Sequence, residues 1–407
     1  MSTVAAPAPP RAPRGCGAAG PLSAEDALAA ARALAPDPGA EEVALEHLAG
    51  RRLAESVVAL SDLPPAATSA MDGWAVQAAG AAPGRLLRLV GESAAGHPAT
   101  GGVGPGEACR ISTGARLPAG ADAVLRREDG HEAGGFLIPF LPVPPAADVR
   151  PAGDDLRAGE ALLHPGTLLA PHEVAVVAAA GLTGASCRRR ARVAVLTTGD
   201  ELVPPGAPVP ARSTIDVILP ALTAQVAAAG GAVTASARAR DEREDTTAAI
   251  AGLLAGRPDL LVTAGGVSAG TRDHVAAALE DLGTRWEARG VAMRPGHPVR
   301  LGRAGATAVL ALPGNPAAAV VCFHLLGRAL LGHEDWGARA TLAEDVPRHP
   351  RATSFVRCAE GPEGLVPLGR QGSHQVTSLA GARVLAWIAP GDGAAPAGAR
   401  VPASGMA

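Results

Sequence analysis

Between residues 190 and 332 the chain repeats one rhythm: a short apolar run, a glycine-bearing turn, then a stretch that reads as helix. The runs 193–197, 232–237, 260–263 and 308–311 have the length and texture of buried strands. Helical stretches follow at 217–229, from 245 to near 256, at 273–282 and from 316 to about 331. Asp216 and Asp245 are placed to cap the first two, and Gly230 and Gly256 to stop them. Strands that alternate with helices predict a parallel α/β sheet. Such a sheet takes ligands outside the carboxyl ends of its strands.

Three segments occupy those ends. They are Thr197-Thr198-Gly199-Asp200-Glu201, the stretch from Thr263 through Gly265-Gly266-Val267-Ser268 to Thr271-Arg272-Asp273, and Leu312-Pro313-Gly314-Asn315-Pro316. Glycines let the backbone approach a ligand, and a helix N-terminus then favours a phosphate. Asp200, Glu201 and Asp273 would repel a bare phosphate, so together they point to a cation such as Mg2+ held between carboxylate and phosphate oxygens. Each element also has a plain structural reading. Asp273 can be a helix cap, Glu201 a solvated loop charge, and Gly265-Gly266 a tight turn. Met293-Arg294-Pro295-Gly296-His297-Pro298 offers a guanidinium suited to oxyanions, or is an ordinary surface loop. Asp72, in Thr68-Ser69-Ala70-Met71-Asp72-Gly73-Trp74, is a catalytic candidate or a turn former.

The rest of the chain has a different texture. Residues 1–20 are rich in Ala, Pro and Arg without an apolar segment, and read as a flexible tail rather than a secretory signal. Ser23 caps a helix with Glu25 and Asp26 in its first turn. From about 50 to 150, runs at 86–90, 108–111, 123–125 and 136–138 alternate with Gly/Pro turns and predict a β-rich region. A compact helical piece is expected over 151–186, and a small β domain over about 340–403. With 18% charged and 47% hydrophobic residues among 407, wholesale disorder is excluded. A net charge of −3 gives no footprint for nucleic acid, and no apolar stretch reaches membrane-spanning length. The 5 cysteines are scattered without a CxxC pair, which fits a reduced, cytoplasmic protein. All 36 basic residues are Arg, so an Arg where Lys is expected can reflect composition.

Taken in order, Ser69-Ala70-Met71-Asp72-Gly73, Thr113-Gly114-Ala115 with 118–122, Thr198-Gly199-Asp200-Glu201-Leu202, Gly265-Gly266-Val267-Ser268, Arg294-Pro295-Gly296 and Leu312-Pro313-Gly314-Asn315-Pro316 resemble the molybdopterin molybdenumtransferases of the MoeA type, also seen as the gephyrin E domain. The resemblance implies a multidomain α/β plus β protein. Its parts would be a tail (1–20), a helical linker domain (21–48 plus 150–186), a β-rich insertion (49–149), a parallel α/β domain of the molybdopterin-binding type (187–333) and a C-terminal β-barrel-like domain (334–407). It implies a homodimer whose cleft joins the α/β domain of one subunit to the β-rich domain of the other. The implied reaction inserts molybdate into adenylylated molybdopterin, releasing AMP and forming molybdenum cofactor, with Mg2+ or Zn2+ assisting. The implied partners are a molybdopterin-adenylylating protein and molybdoenzymes, with neither nucleic acid nor membrane. A tungstate-handling paralogue and a carrier without turnover are the alternatives. By resemblance Asp72, Asp155, Asp241 and Asp273 are catalytic, Glu201 and Asp273 face the metal, and Thr113, Gly265, Gly266, Ser268, Arg294, His297, Pro313 and Asn315 bind the cofactor. The chain departs from the family pattern at Val217-Ile218, Thr271 and His297.

Overall fold

The computed structural model describes residues 20–267, 274–333 and 336–406. Of the expected tail (1–20), residues 1–19 lie outside the described residues, as do Ser268, Thr271 and Asp273. The chain forms two compact units, one made of the residues through Gly39 together with those from Arg189 onward, the other of Ala40–Arg188.

The first unit opens with α1 (Ala24–Leu34), capped as expected by the Ser23 hydroxyl, which accepts from Asp26 N at 3.0 Å. Ala24, Ala27, Leu28, Ala31 and Leu34 fall on one face at helical spacing, and that face joins the α/β core. Six strands build the sheet: β1 (Arg192–Thr198), β2 (Ala232–Ala239), β3 (Leu260–Ala264), β4 (Arg285–Arg289), β5 (Arg300–Ala304) and β6 (Thr307–Leu312), in the spatial order β2-β1-β3-β6-β5-β4. The pairs β1–β2, β1–β3 and β3–β6 are parallel. The four strands read from the sequence, β1, β2, β3 and β6, are thus parallel as expected, and two further strands extend the sheet on one side, where β5 runs antiparallel to β6 and β4 antiparallel to β5. Only Gly305 and Ala306 separate β5 from β6, and a two-residue connection closes a hairpin but spans no parallel crossover.

Helices α2 (Ile218–Ala228), α3 (Arg243–Ala255), α4 (His274–Asp281) and α5 (Pro316–Cys322) follow their strands. Asp216 does cap α2, its Oδ1 accepting from Ile218 N and Leu219 N, each at 3.1 Å. Helix α3 starts two residues before the predicted cap Asp245, because Thr246 N already bonds Glu242 O at 2.9 Å. Beyond α5 the helix continues through a π turn, Phe323–Gly327, into Arg328–Leu330. The sheet's two faces are packed mostly with Val, Leu and Ala, and each fully buried Val or Leu stabilises the fold by about 1.5–3 kcal/mol.

The C-terminal strands Arg339–Thr341, Thr353–Gly361, Gly364–Pro367, Val384–Ile388 and Arg400–Gly405 form a second sheet. A bridge between Leu342 and Leu365 links its two ends, so the strands close on themselves around Val356, Cys358, Leu385-flanking Val384 and Ala386, and Ala403.

In the second unit a six-stranded sheet runs in the order Ala123–Arg126, Gly73–Val76, Glu107–Ile111, Leu87–Ser93, Phe136–Pro139, Gly130–Ala133. The four apolar runs read from the sequence all lie in it. The segment expected to be helical, 151–186, contains one seven-residue helix, Glu173–Ala179, and two strands. Those strands, Ala161–Leu163 and Gly184–Arg188, pair with Val57–Val58 and Ala40–Ala44. Alanine-rich composition favoured helix locally, whereas tertiary pairing selects strand.

Candidate active site

Parallel strands β1, β3 and β6 all end on the same side of the sheet, so the segments that follow them meet. They line a cavity of about 420 Å3. Thr198, Glu201, Asp241, Gly265, Gly266 and Asn315 face it, and Pro313 and Gly314 complete that wall. Five of the predicted residues in this unit therefore converge with Asp241: Glu201, Gly265, Gly266, Pro313 and Asn315.

The cavity's shape depends on two left-handed glycines. Gly265 has φ +99°, and a Cβ there would lie 2.6 Å from Thr198 Oγ1. Gly266 has φ +62°, and a Cβ there would lie 2.7 Å from Val275 Cγ2. Both the backbone conformation and the contact select glycine.

Asp216 lies just behind the cavity and is 1% exposed. Its Oδ2 accepts from Thr197 Oγ1 at 2.9 Å and from Arg238 Nη2 at 3.1 Å and Nε at 3.3 Å. Asp241 N donates to Asp200 Oδ1 at 3.2 Å, which ties the loop after β2 to the loop after β1. On the opposite wall Asn315 stands at the N-cap of α5, with Pro316 at its first turn. Its amide does not cap its own helix. Instead Asn315 Nδ2 donates to Ser373 Oγ at 3.1 Å, and Ser373 O accepts Ala317 N at 3.0 Å.

Arg294 and His297 are exposed and lie outside the cavity lining, although Pro298 of the same loop contributes to it. Met293–Arg294 pairs in parallel with Thr353 and Ser354, so the loop is anchored at its start to the C-terminal sheet. His297 Nδ1 donates to Val291 O at 2.9 Å. Ser268 and Asp273 fall outside the described residues. Among the described residues no group of three or more His, Cys, Asp and Glu side chains is arranged to hold a metal ion.

The second unit brings two predicted residues together. Asp72 Oδ1 accepts from Thr113 N at 2.7 Å and from Thr113 Oγ1 at 3.1 Å. The reason is register: Gly73 pairs with Ile111, so the residues preceding one strand stand beside those following the other. The Thr113 backbone N–H, then its hydroxyl, with a contribution from the Arg127 charge, hold the Asp72 carboxyl below its usual range. Asp155 is exposed, and among the described residues no hydrogen bond links it to Asp72 or Thr113. The site list drawn from the sequence omitted Asp216 and Thr198. Their signal was present in the paired Thr197-Thr198 at a strand end, but only the fold shows which hydroxyl turns to which neighbour.

Family comparisons agree along the chain. Residues 22–181 match the MoeA N-terminal region (domain I and II), 194–333 match a probable molybdopterin binding domain, and 339–404 match the MoeA C-terminal region (domain IV). A Haemophilus influenzae protein named molybdopterin molybdenumtransferase is 33% identical over 311 residues, covering 73% of this chain and 74% of the relative. A Bacillus subtilis protein of the same name is 32% identical over 373 residues, covering 86% of each. The crystal structure of a molybdopterin biosynthesis MoeA protein from Pyrococcus horikosii superposes with a TM-score of 0.82 at 29% identity, covering 95% of this chain and 100% of that one. With its three regions matched in order and relatives of this identity spanning most of its length, the chain belongs to the MoeA family of molybdopterin molybdenumtransferases.

Proposed function

We propose that this protein inserts molybdate into adenylylated molybdopterin, releasing AMP and forming molybdenum cofactor. The observation that carries the reading is one cavity lined by two acidic residues, Glu201 and Asp241, together with the glycines 265–266 and the Asn315 turn. A phosphate-bearing ligand accompanied by a cation uses both the acidic side chains and the glycine backbone.

The two carboxylates fit Mg2+, which takes one or two protein carboxylates together with substrate phosphates, and Zn2+ is the alternative. Glu201 and Asp241 would hold the ion, and when bound it supplies charge neutralisation at the phosphate that leaves with AMP. The glycine turn admits the ligand close to the backbone. Asn315, held by Ser373, presents a fixed wall rather than a mobile amide. The exposed Arg294 guanidinium suits an oxyanion such as molybdate. Asp72, kept ionised by Thr113, serves the same reaction as an acceptor-only carboxylate. The reading includes a homodimer in the cytoplasm, a molybdopterin-adenylylating protein as supplier and molybdoenzymes as acceptors.

The test mixes purified protein with adenylylated molybdopterin, molybdate and Mg2+ and measures AMP. Molybdate-dependent release is expected. Binding of adenylylated molybdopterin without release would overturn the enzymatic reading and leave a carrier. Replacing molybdate by tungstate in the same assay separates the two oxyanions.

A further inference from the structure

Glu201 sits on a short turn that leaves the end of β1, and among the described residues its carboxylate has no hydrogen-bond partner that would fix that turn. The fixing comes from Asp216. Leu202–Val203 pairs in parallel with Thr214–Ile215, Thr214 N donates to Glu201 O at 2.8 Å, and Asp216 N donates to Val203 O at 2.8 Å. The residue that closes this ladder also buries its carboxylate behind the cavity. There it accepts from Thr197 at the end of β1, from Ile218 N and Leu219 N at the start of α2, and from Arg238 on β2. Thr197 and Ile218 themselves line the cavity. One side chain thus joins a strand end, a helix N-terminus and the acidic turn.

We propose that Asp216 is a positioning residue whose buried carboxylate sets where the Glu201 carboxylate stands in the cavity. The inference rests on the reading of Glu201 as a cation-holding residue. A carboxylate that is 1% exposed carries a large desolvation penalty, and apolar packing of the same volume would serve stability as well or better. What an apolar side chain cannot do is accept from three directions at once. The Arg238 guanidinium offsets the charge from the outer side, so that Asp216 adds little repulsion toward a phosphate in the cavity.

The experiment measures Mn2+ binding to the full-length protein by electron paramagnetic resonance, with AMP present as the phosphate probe. Asp216→Asn is expected to weaken Mn2+ binding about tenfold, because its NH2 must face either Arg238 or the N–H groups of Ile218 and Leu219, all of them donors, which loosens the ladder. Glu201→Gln is expected to weaken it as well, and the double variant to bind no more weakly than Glu201→Gln alone. Should Asp216→Asn fail to fold, Arg238→Gln removes only the outer partner and is expected to shift Mn2+ binding in the same direction by a smaller factor. Wild-type affinity in Asp216→Asn, or in Arg238→Gln where the former does not fold, would overturn the proposal. So would full additivity in the double variant, since a general structural effect does not depend on Glu201. If the wild-type protein binds no Mn2+ with AMP, the cation reading falls and this inference with it, whereas AMP release tests the enzymatic reading independently.

Discussion

Replacing Thr263 by Val should stabilise the protein. Thr263 lies in β3, is 0% exposed, and its Oγ1 has no hydrogen-bond partner among the described residues. A buried donor–acceptor left without a partner costs about 1–3 kcal/mol, because its bonds to water in the unfolded chain are not replaced. Valine has nearly the same shape, is also β-branched, and suits a central strand, so neither packing nor strand propensity opposes the change. The substituted methyl adds apolar burial on the scale of about 0.8 kcal/mol per carbon. Allowing for imperfect fit, the expected net gain is about 1–2 kcal/mol. Urea unfolding followed by tryptophan fluorescence should show a higher midpoint with an unchanged slope. Trp286, Trp336 and Trp387 all lie in the unit that contains Thr263 and report on it. A lower midpoint would refute the reasoning, for it would mean that the hydroxyl has a partner in solution.

Three further outcomes follow from particular contacts. Thr113→Ala removes the hydroxyl but keeps the backbone N–H that is the larger cause of the lowered Asp72 pKa, so a carbon-13 titration of Asp72 should show only a partial return toward the usual carboxylate range; a full return would assign the effect to the side chain. Because the folded pKa lies below the unfolded one, this interaction favours the folded state above the usual carboxylate range and fades as pH falls through the lowered value, so the alanine variant should lose its share at higher pH than the parent. Gly296→Ala would place a Cβ on Cys322 Sγ, a thiol that is fully buried, at φ +112°, and should lower the melting temperature; Cys322→Ala in the same chain should recover part of the loss, and a melting temperature equal to the parent's would contradict the packing. Asp72→Ala should abolish AMP release while circular dichroism stays unchanged, since the side chain is exposed and works from a turn; full turnover would remove Asp72 from the reaction.

The cavity walls were legible in the sequence because parallel α/β geometry puts chemistry where strands end. Glycines at 265 and 266, the acidic pair Asp200-Glu201 and the Pro313-Gly314-Asn315 turn could be placed from the strand rhythm alone. The 151–186 segment was not legible in the same way. Its alanine and valine content suits either helix or strand, and the partners that decide, at 40–44 and 57–58, lie far away in the sequence. The antiparallel strands β4 and β5 escaped for a similar reason: each is only five residues long, and although Arg285–Arg289 alternates exposed charges with buried Trp286 and Ala288, its pairing with Arg300–Ala304 is a tertiary contact.

Periodicity, caps and glycine spacing thus determined by themselves the α/β character and the ends at which ligands gather, and the ordered motifs pointed to the family by resemblance. Tertiary structure alone decided the partners of individual polar atoms. Thr197 and Thr198 are chemically identical neighbours, yet one hydroxyl is held by Asp216 and the other has no partner among the described residues. Successive side chains on a strand point to opposite faces, so what each meets depends on helices packed there from elsewhere in the chain. Local sequence carries no record of that choice, because the energies that make it are long-range contacts formed only when the sheet and its helices come together.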